Sequence, residues 1–292
     1  MIIISIGCGL GNQMYEYAFY KSLQESFPNQ IIKVDTKYAF PISHNGIEVF
    51  ELFGINVEEA DICDVRRLTK GYLMNGCGFN SNSLLQKIRR KCTNAPSSMK
   101  IQTDFTEYDP SFFDNNEHDA YYYGVFANFH YFKKIEKKIK ELYTFPKVYD
   151  QKNMYYLNQI NNSNSVSIHV RRGDYLKLGI ELTSPVFYIN AVRIFEKVLH
   201  NPKFFIFSDD INYASSLFSF IENKVIVEGN VGKNCFRDMQ LMSNCKHNIT
   251  ANSTFSFWGA FLNQNPNKMV ISPKSPLPRL KCPFVCDDWI LL

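Results

Sequence analysis

The sequence lacks most of the signals that commonly reveal a function. No stretch approaches the roughly 18 apolar residues of a membrane span. The apolar opening Met1-Ile-Ile-Ile-Ser-Ile-Gly7 is too short for the core of a secretion signal, and no basic residue precedes it. The eight cysteines (Cys8, Cys63, Cys77, Cys92, Cys235, Cys245, Cys282 and Cys286) form no Cys-x-x-Cys pair. No histidine stands near Cys282-Pro-Phe-Val-Cys286 to complete a zinc site. They read as reduced, mostly buried thiols of an intracellular chain. A Walker lysine loop, His-Glu-x-x-His and Gly-x-Ser-x-Gly are absent. Asp-x-Asp is absent too, because the acidic pairs are adjacent, Asp209-Asp210 and Asp287-Asp288. A transferase that chelates a metal through that motif is disfavoured, and no metal site is expected. Excess charge is also scarce. The 32 Lys and Arg against 28 Asp and Glu leave a net +4. That is too little to argue for a nucleic-acid partner, and it suits a small anionic ligand.

What is present is ordinary globular material: 292 residues, 45% hydrophobic and 21% charged, enough for two domains with a core each. Residues 2–6 read as a buried strand. Gly7-Cys-Gly9-Leu-Gly11-Asn12-Gln13 is a glycine-rich turn, 14–27 a helix, and 31–34 the next strand. Residues 45–120 resist reading and carry small-residue loops such as 75–83. Residues 129–145 predict an amphipathic helix, with Ile135, Ile139 and Leu142 on one face and lysines on the other. It reads as a solvated helix packed on a domain, with contact to an anionic membrane surface as the alternative. The polar stretch 158–165 marks a boundary, so domains are expected at 1–160 and 161–292. The second half then alternates. Strands are expected at 166–170, 204–207, 225–227, 249–251 and 269–271, and helices at 187–199, 237–245 and 254–262. That alternation implies a parallel sheet covered on both faces, an α/β fold.

The sharpest segment is Val166-Ser-Ile-His169-Val-Arg171-Arg172-Gly173-Asp174-Tyr175. Strand alternation puts Val166, Ile168 and Val170 on one face and Ser167, His169 and Arg171 on the other. Gly173 permits a sharp turn at the strand's carboxyl end, where open α/β sheets bind ligands. Arginine's planar fork suits a diphosphate. In the second segment, Ile249-Thr-Ala-Asn252-Ser253-Thr254-Phe255, a strand runs into a helix capped by Asn252 or Ser253. Its first amides favour an anion, and Ser253 and Thr254 add hydroxyls. The N-terminal turn is only a partial dinucleotide fingerprint. With Asp35 some twenty residues on, it leaves an NAD-linked reading open. Tyr17 and Lys21 have the spacing of an oxidoreductase Tyr–Lys pair, though on the first helix. Among the abundant aromatics, Tyr121–Tyr123 and Tyr175 are candidates for stacking on sugars, while most of the rest must be core.

Three motifs together resemble glycosyltransferase family 11, the bacterial and animal α-1,2-fucosyltransferases. Gly9-Leu-Gly11-Asn12-Gln13-Met14 is similar to the family's N-terminal motif. His169-Val-Arg171-Arg172-Gly173-Asp174-Tyr175 is similar to its HxRRGDY motif. The run from Leu241 through His247 and Ala251-Asn252-Ser253-Thr254-Phe255-Ser256-Phe257-Trp258 is similar to its third, and 204–210 to its strand-plus-Ser-Asp-Asp segment. Departures are few. Cys8 stands where glycine is usual, Tyr15-Glu16 where Phe-Gln is usual, and Phe257 for a tryptophan. Residues 60–125 match poorly and are a place for acceptor contacts.

The resemblance implies a GT-B fold, two Rossmann-like domains facing across a cleft. The first is the acceptor side and the second binds GDP-fucose, with the C-terminal segment packing back on the first. It implies inverting, metal-independent transfer of L-fucose to O2 of a terminal galactose, with no cofactor beyond the donor. Donor contacts are then expected from Arg171, Arg172, Asp209, Asp210, Asn252, Ser253, Thr254 and Phe255. Acceptor-side residues are Gly9, Gly11, Asn12, Gln13 and Tyr175. Arg171 meets the leaving diphosphate, His169 bonds a phosphate or a fucose hydroxyl, and Asn12 positions the acceptor. Asp174 is the nearest carboxylate for a base, or it orients Arg171. Arg172, on the opposite strand face, pairs with Asp174 or braces the loop. Asp209 or Asp210 pairs with guanine. A galactose-terminated glycan or lipid-linked oligosaccharide is the expected acceptor, and no nucleic acid is a partner. Animal members carry a membrane anchor. Its lack here points to a bacterial, cytoplasmic enzyme, with the inner face of the inner membrane as a working place. Competing readings are transfer in another linkage, a non-catalytic nucleotide-sugar or glycan-binding module, and an NAD-dependent oxidoreductase. Oligomeric state is left open.

Overall fold

The computed structural model describes residues 1–39, 45–70, 72, 95–114, 118–177, 179–180, 182–277 and 280–292, with the side chain of Asp174 outside the description. The loop read at 75–83, with Cys77, and Cys92 lie outside these residues. Two compact units divide the chain, Met1–Thr144 and Phe145–Leu292.

In the first unit the elements run β1 (Ile2–Ser5), α1 (Leu10–Ser26), β2 (Ile32–Asp35), α2 (Val49–Phe53), α3 (Ile62–Thr69), β3 (Met99–Ile101), β4 (Ala120–Tyr123) and α4 (Glu136–Leu142). The described strands form a parallel sheet in the order β2-β1-β4-β3. Ile2, Ile3 and Ile4 are all fully buried. A central parallel strand is covered on both faces, so it carries an unbroken apolar run rather than alternation. The same rule removes Tyr121 and Tyr122 as sugar platforms: both are wholly buried in β4, and Tyr123 nearly so. Helix α1 presents Phe19 to an aromatic cluster, stacked on Phe126 at 4.0 Å and edge-on to Tyr122 and Tyr131.

The expected helix over 129–145 is shorter. Residues Phe129–Tyr131 and Lys133–Ile135 form 3-10 turns, and only Glu136–Leu142 is α-helical. The tight turns let Phe129, Tyr131 and Phe132 all face inward, which a 3.6-residue period does not allow. Ile139 is buried and the lysines stay outside, as the packed, solvated reading expects.

In the second unit the order is α5 (Gln151–Asn161), β5 (Asn164–Val170), α6 (Gly173–Lys177), α7 (Pro185–Val198), β6 (Pro202–Ser208), α8 (Ile211–Leu217), β7 (Lys224–Val227), α9 (Phe236–Asn244), β8 (His247–Ile249), α10 (Thr254–Phe261), β9 (Val270–Ser272) and β10 (Ile290–Leu291). The described strands form a parallel sheet in the order β10-β9-β8-β5-β6-β7. Val166, Ile168 and Val170 point into a core with Phe187, Val192, Phe195 and Phe204. Residues 158–165, read as a boundary, instead close helix α5 and open β5. The unit begins at Phe145, so α5, assigned by sequence to the first domain, belongs to the second. The C-terminal segment, expected to return to the first domain, completes this sheet: Ile290 pairs with Ile271 and Leu291 with Ser272.

The second sheet has a topological switch point. From β5 the chain winds outward through β6 and β7, then returns to β8 on the other side of β5. Loops leaving the carboxyl ends of β5 and β8 part there and leave a crevice, the usual ligand site of such sheets. Among the described residues no helix is long and apolar enough to cross a membrane.

Candidate functional site

Both motifs of the second half arrive at this switch point. His169 lies near the carboxyl end of β5 and Arg171 just past it, and Asn252, Ser253 and Thr254 follow β8. The His169 ring lies 5.6 Å from that of Phe255 in the first turn of α10. Tyr175 donates its hydroxyl to the Asn252 carbonyl at 3.0 Å, joining the two loops.

The arginines are held by the adjacent aspartates at the end of β6. Arg171 Nη1 lies 3.1 Å from Asp209 Oδ2, and the guanidinium carbon sits 5.7 Å from the Tyr175 ring centre. The Arg171 side chain is 26% exposed, so it is not sealed from solvent. Arg172 turns the other way. Its Nε pairs with Asp210 Oδ2 at 3.1 Å and its guanidinium lies 3.6 Å over the Tyr213 ring. Asp210 also caps α8, accepting the Tyr213 amide at 3.0 Å. That amide, then Arg172, hold its carboxyl below the usual carboxylate value. Asp209 accepts the Arg172 amide at 2.8 Å. The two aspartates are therefore braces for the arginines in this structure, and Arg172 has Asp210 as its partner. A Cβ on Gly173 would come within 3.0 Å of Asp209 Oδ2, so the loop's glycine makes room for that carboxylate.

His169 is 5% exposed, and its Nδ1 has no hydrogen-bond partner. Burial, then the Arg171 charge, push its pKa from 6.5 down to about 4. The sequence suggested two basic side chains projecting together. The structure leaves one cation, Arg171, beside a neutral imidazole. The Tyr188 hydroxyl fixes the strand below by donating to the His169 carbonyl at 3.1 Å.

Ser253, not Asn252, is the N-cap of α10, and its side chain makes no capping bond. The first amides of the helix have no partner along its own axis and favour negative charge. Asn252 is structural: its amide nitrogen side chain donates to the Ser275 carbonyl at 3.0 Å, and its backbone N–H to Thr183 Oγ1 at 3.2 Å. A pocket of about 300 Å³ opens beside it, lined by Thr183, Ser184, Phe187, Asn252, Ser275 and Leu277 among others. A larger depression of about 590 Å³ lies at the opposite, amino end of the sheet, lined by Asn164, Lys203 and Lys246. Its amides and lysines bond one another, so the chemistry points to the carboxyl end. Thr183, Tyr188, Tyr213 and Ser275 escaped the sequence reading. Only Thr183-Ser184-Pro185, a helix-start signal, marked any of them.

The first unit also has a switch point, between β1 and β4, and the glycine-rich turn leaves β1 there. Helix α1 begins at Leu10 with Gly9 as N-cap, so Gly11, Asn12 and Gln13 are already helical. Gln13 is fully buried. It donates to the carbonyls of Cys8 and Gly46 and accepts the amides of Glu48 and Val49. With that set complete, it ties the turn to its neighbour and has nothing left for an acceptor. Gly11 is buried too, while Asn12 is partly exposed beside the Cys8 thiol. Asp35 accepts from the Lys37 and Tyr38 amides and from the Tyr121 hydroxyl, so it offers no carboxylate to a cofactor ribose. Tyr17 is buried against Tyr20 and Phe50. The oxidoreductase reading thereby loses Asp35 and Tyr17.

The chain has recognisable relatives. Residues 79–283 match the profile of Glycosyl transferase family 11. An alpha-1,2-colitosyltransferase of Escherichia coli is 30% identical over 285 aligned positions, covering 94% of this chain and 91% of the relative. The O-antigen biosynthesis glycosyltransferase WbnK of Escherichia coli is 27% identical over 317 positions, covering 97% and 98%. A galactoside 2-alpha-L-fucosyltransferase, SEC1 of Bos taurus, is 29% identical over 112 positions, 36% of this chain and 30% of the relative.

Proposed function

The chain belongs to glycosyltransferase family 11, and we propose that within it this protein moves L-fucose from GDP-fucose to O2 of a terminal galactose, with inversion and without a metal. The observation that carries the reading is Arg171, braced by Asp209 just past the end of β5 at a switch point, where His169 of that strand lies against Phe255 in the first turn of α10. Two relatives whose names specify α-1,2 or 2-alpha transfer support the linkage.

In the proposed reaction the galactose O2 attacks the anomeric carbon opposite GDP. The O2–C1 bond forms as the bond from C1 to the β-phosphate oxygen breaks, and GDP leaves with that electron pair. The transition state is oxocarbenium-like. Charge grows on the phosphate, where Arg171 and the α10 amides meet it without rearranging. Neutral His169 offers one ring nitrogen as a donor or acceptor to a phosphate or sugar hydroxyl. Ser253 and Thr254, at the start of α10, are proposed to offer hydroxyls to the nucleotide sugar. The hydroxyl's proton needs a base, and Asp174 is our candidate by its place in the motif. Asn12, in the first unit, is proposed to position the acceptor.

Incubating the purified chain with GDP-fucose and a panel of β-galactosides tests this. Release of GDP coupled to a fucosylated product supports transfer, and binding without turnover supports a non-catalytic module. A second donor has a specific reason, since one relative is named for colitose. GDP-colitose in the same assay separates the two.

A further inference from the structure

Glu16 lies on α1, directly beneath the glycine-rich turn, and is fully buried. Its Oε2 accepts the Gly7 amide at 2.7 Å, and its Oε1 has no hydrogen-bond partner. No lysine, arginine or histidine among the described residues compensates it. The titratable groups that face it are the Cys8 thiol from the turn, Tyr121 from β4 and Tyr143 beyond α4, and a carboxylate charge opposes ionisation of each. The turn itself is strained. Cys8 has φ +62°, a left-handed conformation that disfavours a side chain. The Gly7–Glu16 bond and the Gln13 bond to the Cys8 carbonyl hold it there.

An ionised carboxylate in such a place would be buried without a counter-charge, at a cost that normally forces it to stay neutral. Burial indeed holds Glu16 well above the ordinary carboxylate value of 4.5. The neutral acid keeps an acceptor for Gly7, as an amide would.

We propose that Glu16 is a positioning residue that acts as a neutral acid, bracing the turn so that Asn12 keeps its place only while Glu16 holds its proton. The part played by Asn12 rests on the acceptor-side reading above, whereas the brace itself stands on the geometry of the first unit.

The two are separated by measuring stability and activity in parallel. Wild type, Glu16→Gln and Glu16→Ala are compared as full chains by thermal unfolding from pH 5 to 9. Amide exchange of a peptide spanning the turn is compared between variants at one alkaline pH. Glu16→Gln keeps the acceptor and cannot ionise. It is expected to melt above wild type at pH 8–9, by more than about 2 °C, with the gap closing toward pH 5. Its turn should exchange more slowly than that of wild type at the same alkaline pH. Glu16→Ala should be destabilised throughout. In the transfer assay, the acceptor KM of wild type should rise on the alkaline side and that of Glu16→Gln should not. Parallel melting profiles for wild type and Glu16→Gln would overturn the brace. Equal alkaline rises in KM, with melting profiles that diverge, would overturn the positioning of Asn12. Absence of transfer to every galactoside would sink the acceptor reading and leave the unfolding comparison to decide the role of Glu16.

Discussion

Arg171 and Asp209 form the pair on which the candidate site turns: Nη1 and Oδ2 stand 3.1 Å apart, while the other oxygen of the same carboxylate takes the Arg172 amide at 2.8 Å. One carboxylate thus fixes both the guanidinium and the backbone that carries it. A partly exposed pair of this kind adds little stability. Its consequence is geometric, since it aims a bidentate donor at the crevice.

Arg171→Lys is therefore expected to lower kcat by about 100- to 1000-fold, the scale of losing one donor to developing charge. A lysine keeps the charge and loses the fork. Steady-state kinetics on the folded variant checks this, and near-wild-type turnover removes the role.

Asp209→Asn should leave the chain folded and cost on the order of 100-fold in kcat/KM, through a misplaced arginine. Gly173→Ala should act in the same direction, because its methyl would meet Asp209 Oδ2 at 3.0 Å. Full activity in both would show that Asp209 does not aim Arg171.

His169 and Asp238 predict stability slopes of opposite sign. Burial, then Arg171, lower His169 from 6.5 to about 4. The unfolded chain binds this proton first, so stability is lost as pH falls from about 6.5 to about 4. A His169→Gln variant should lose that acid-side slope. Burial raises Asp238 from 3.8 to about 7, against the Asn230 bond and Lys152, which lower it. The folded chain keeps this proton longer, so stability falls as pH rises from about 4 to about 7. Asp238→Asn should flatten that window. Chemical denaturation across pH reads both slopes, and unchanged slopes in the variants refute the assignments.

Phe19→Ala should cost about 3–5 kcal/mol, because its ring stacks on Phe126 and meets Tyr122 and Tyr131. Urea unfolding measures it, and a loss under about 1 kcal/mol would mean that the cluster repacks.

Much of this was legible in the sequence, and the exceptions have physical causes. Strand β5 could be read because Val166, Ile168 and Val170 face a core while His169 and Arg171 do not. The partners of the arginines could not, since Asp209 and Asp210 come from β6, some forty residues away. Tyr121 and Tyr122 looked like surface aromatics only because a central parallel strand has no polar face to give it away. Gln13 matched a motif, yet three of its four hydrogen bonds reach Gly46, Glu48 and Val49, a segment with no sequence signal of its own. Helix α8 went unread because it is only seven residues long.

The absence of an Asp-x-Asp motif, together with the proposed stabilisation of the leaving phosphate by Arg171 and helix amides, predicts full transfer in excess EDTA. Activity lost to EDTA and restored by a divalent cation would contradict the metal-free proposal.

The most direct test of the central claim is the linkage of the product made from GDP-fucose and a β-galactoside, determined by NMR. The account predicts an α-fucosyl residue on O2 of galactose. Donor hydrolysis without transfer, or a fucose at any other position, would contradict it.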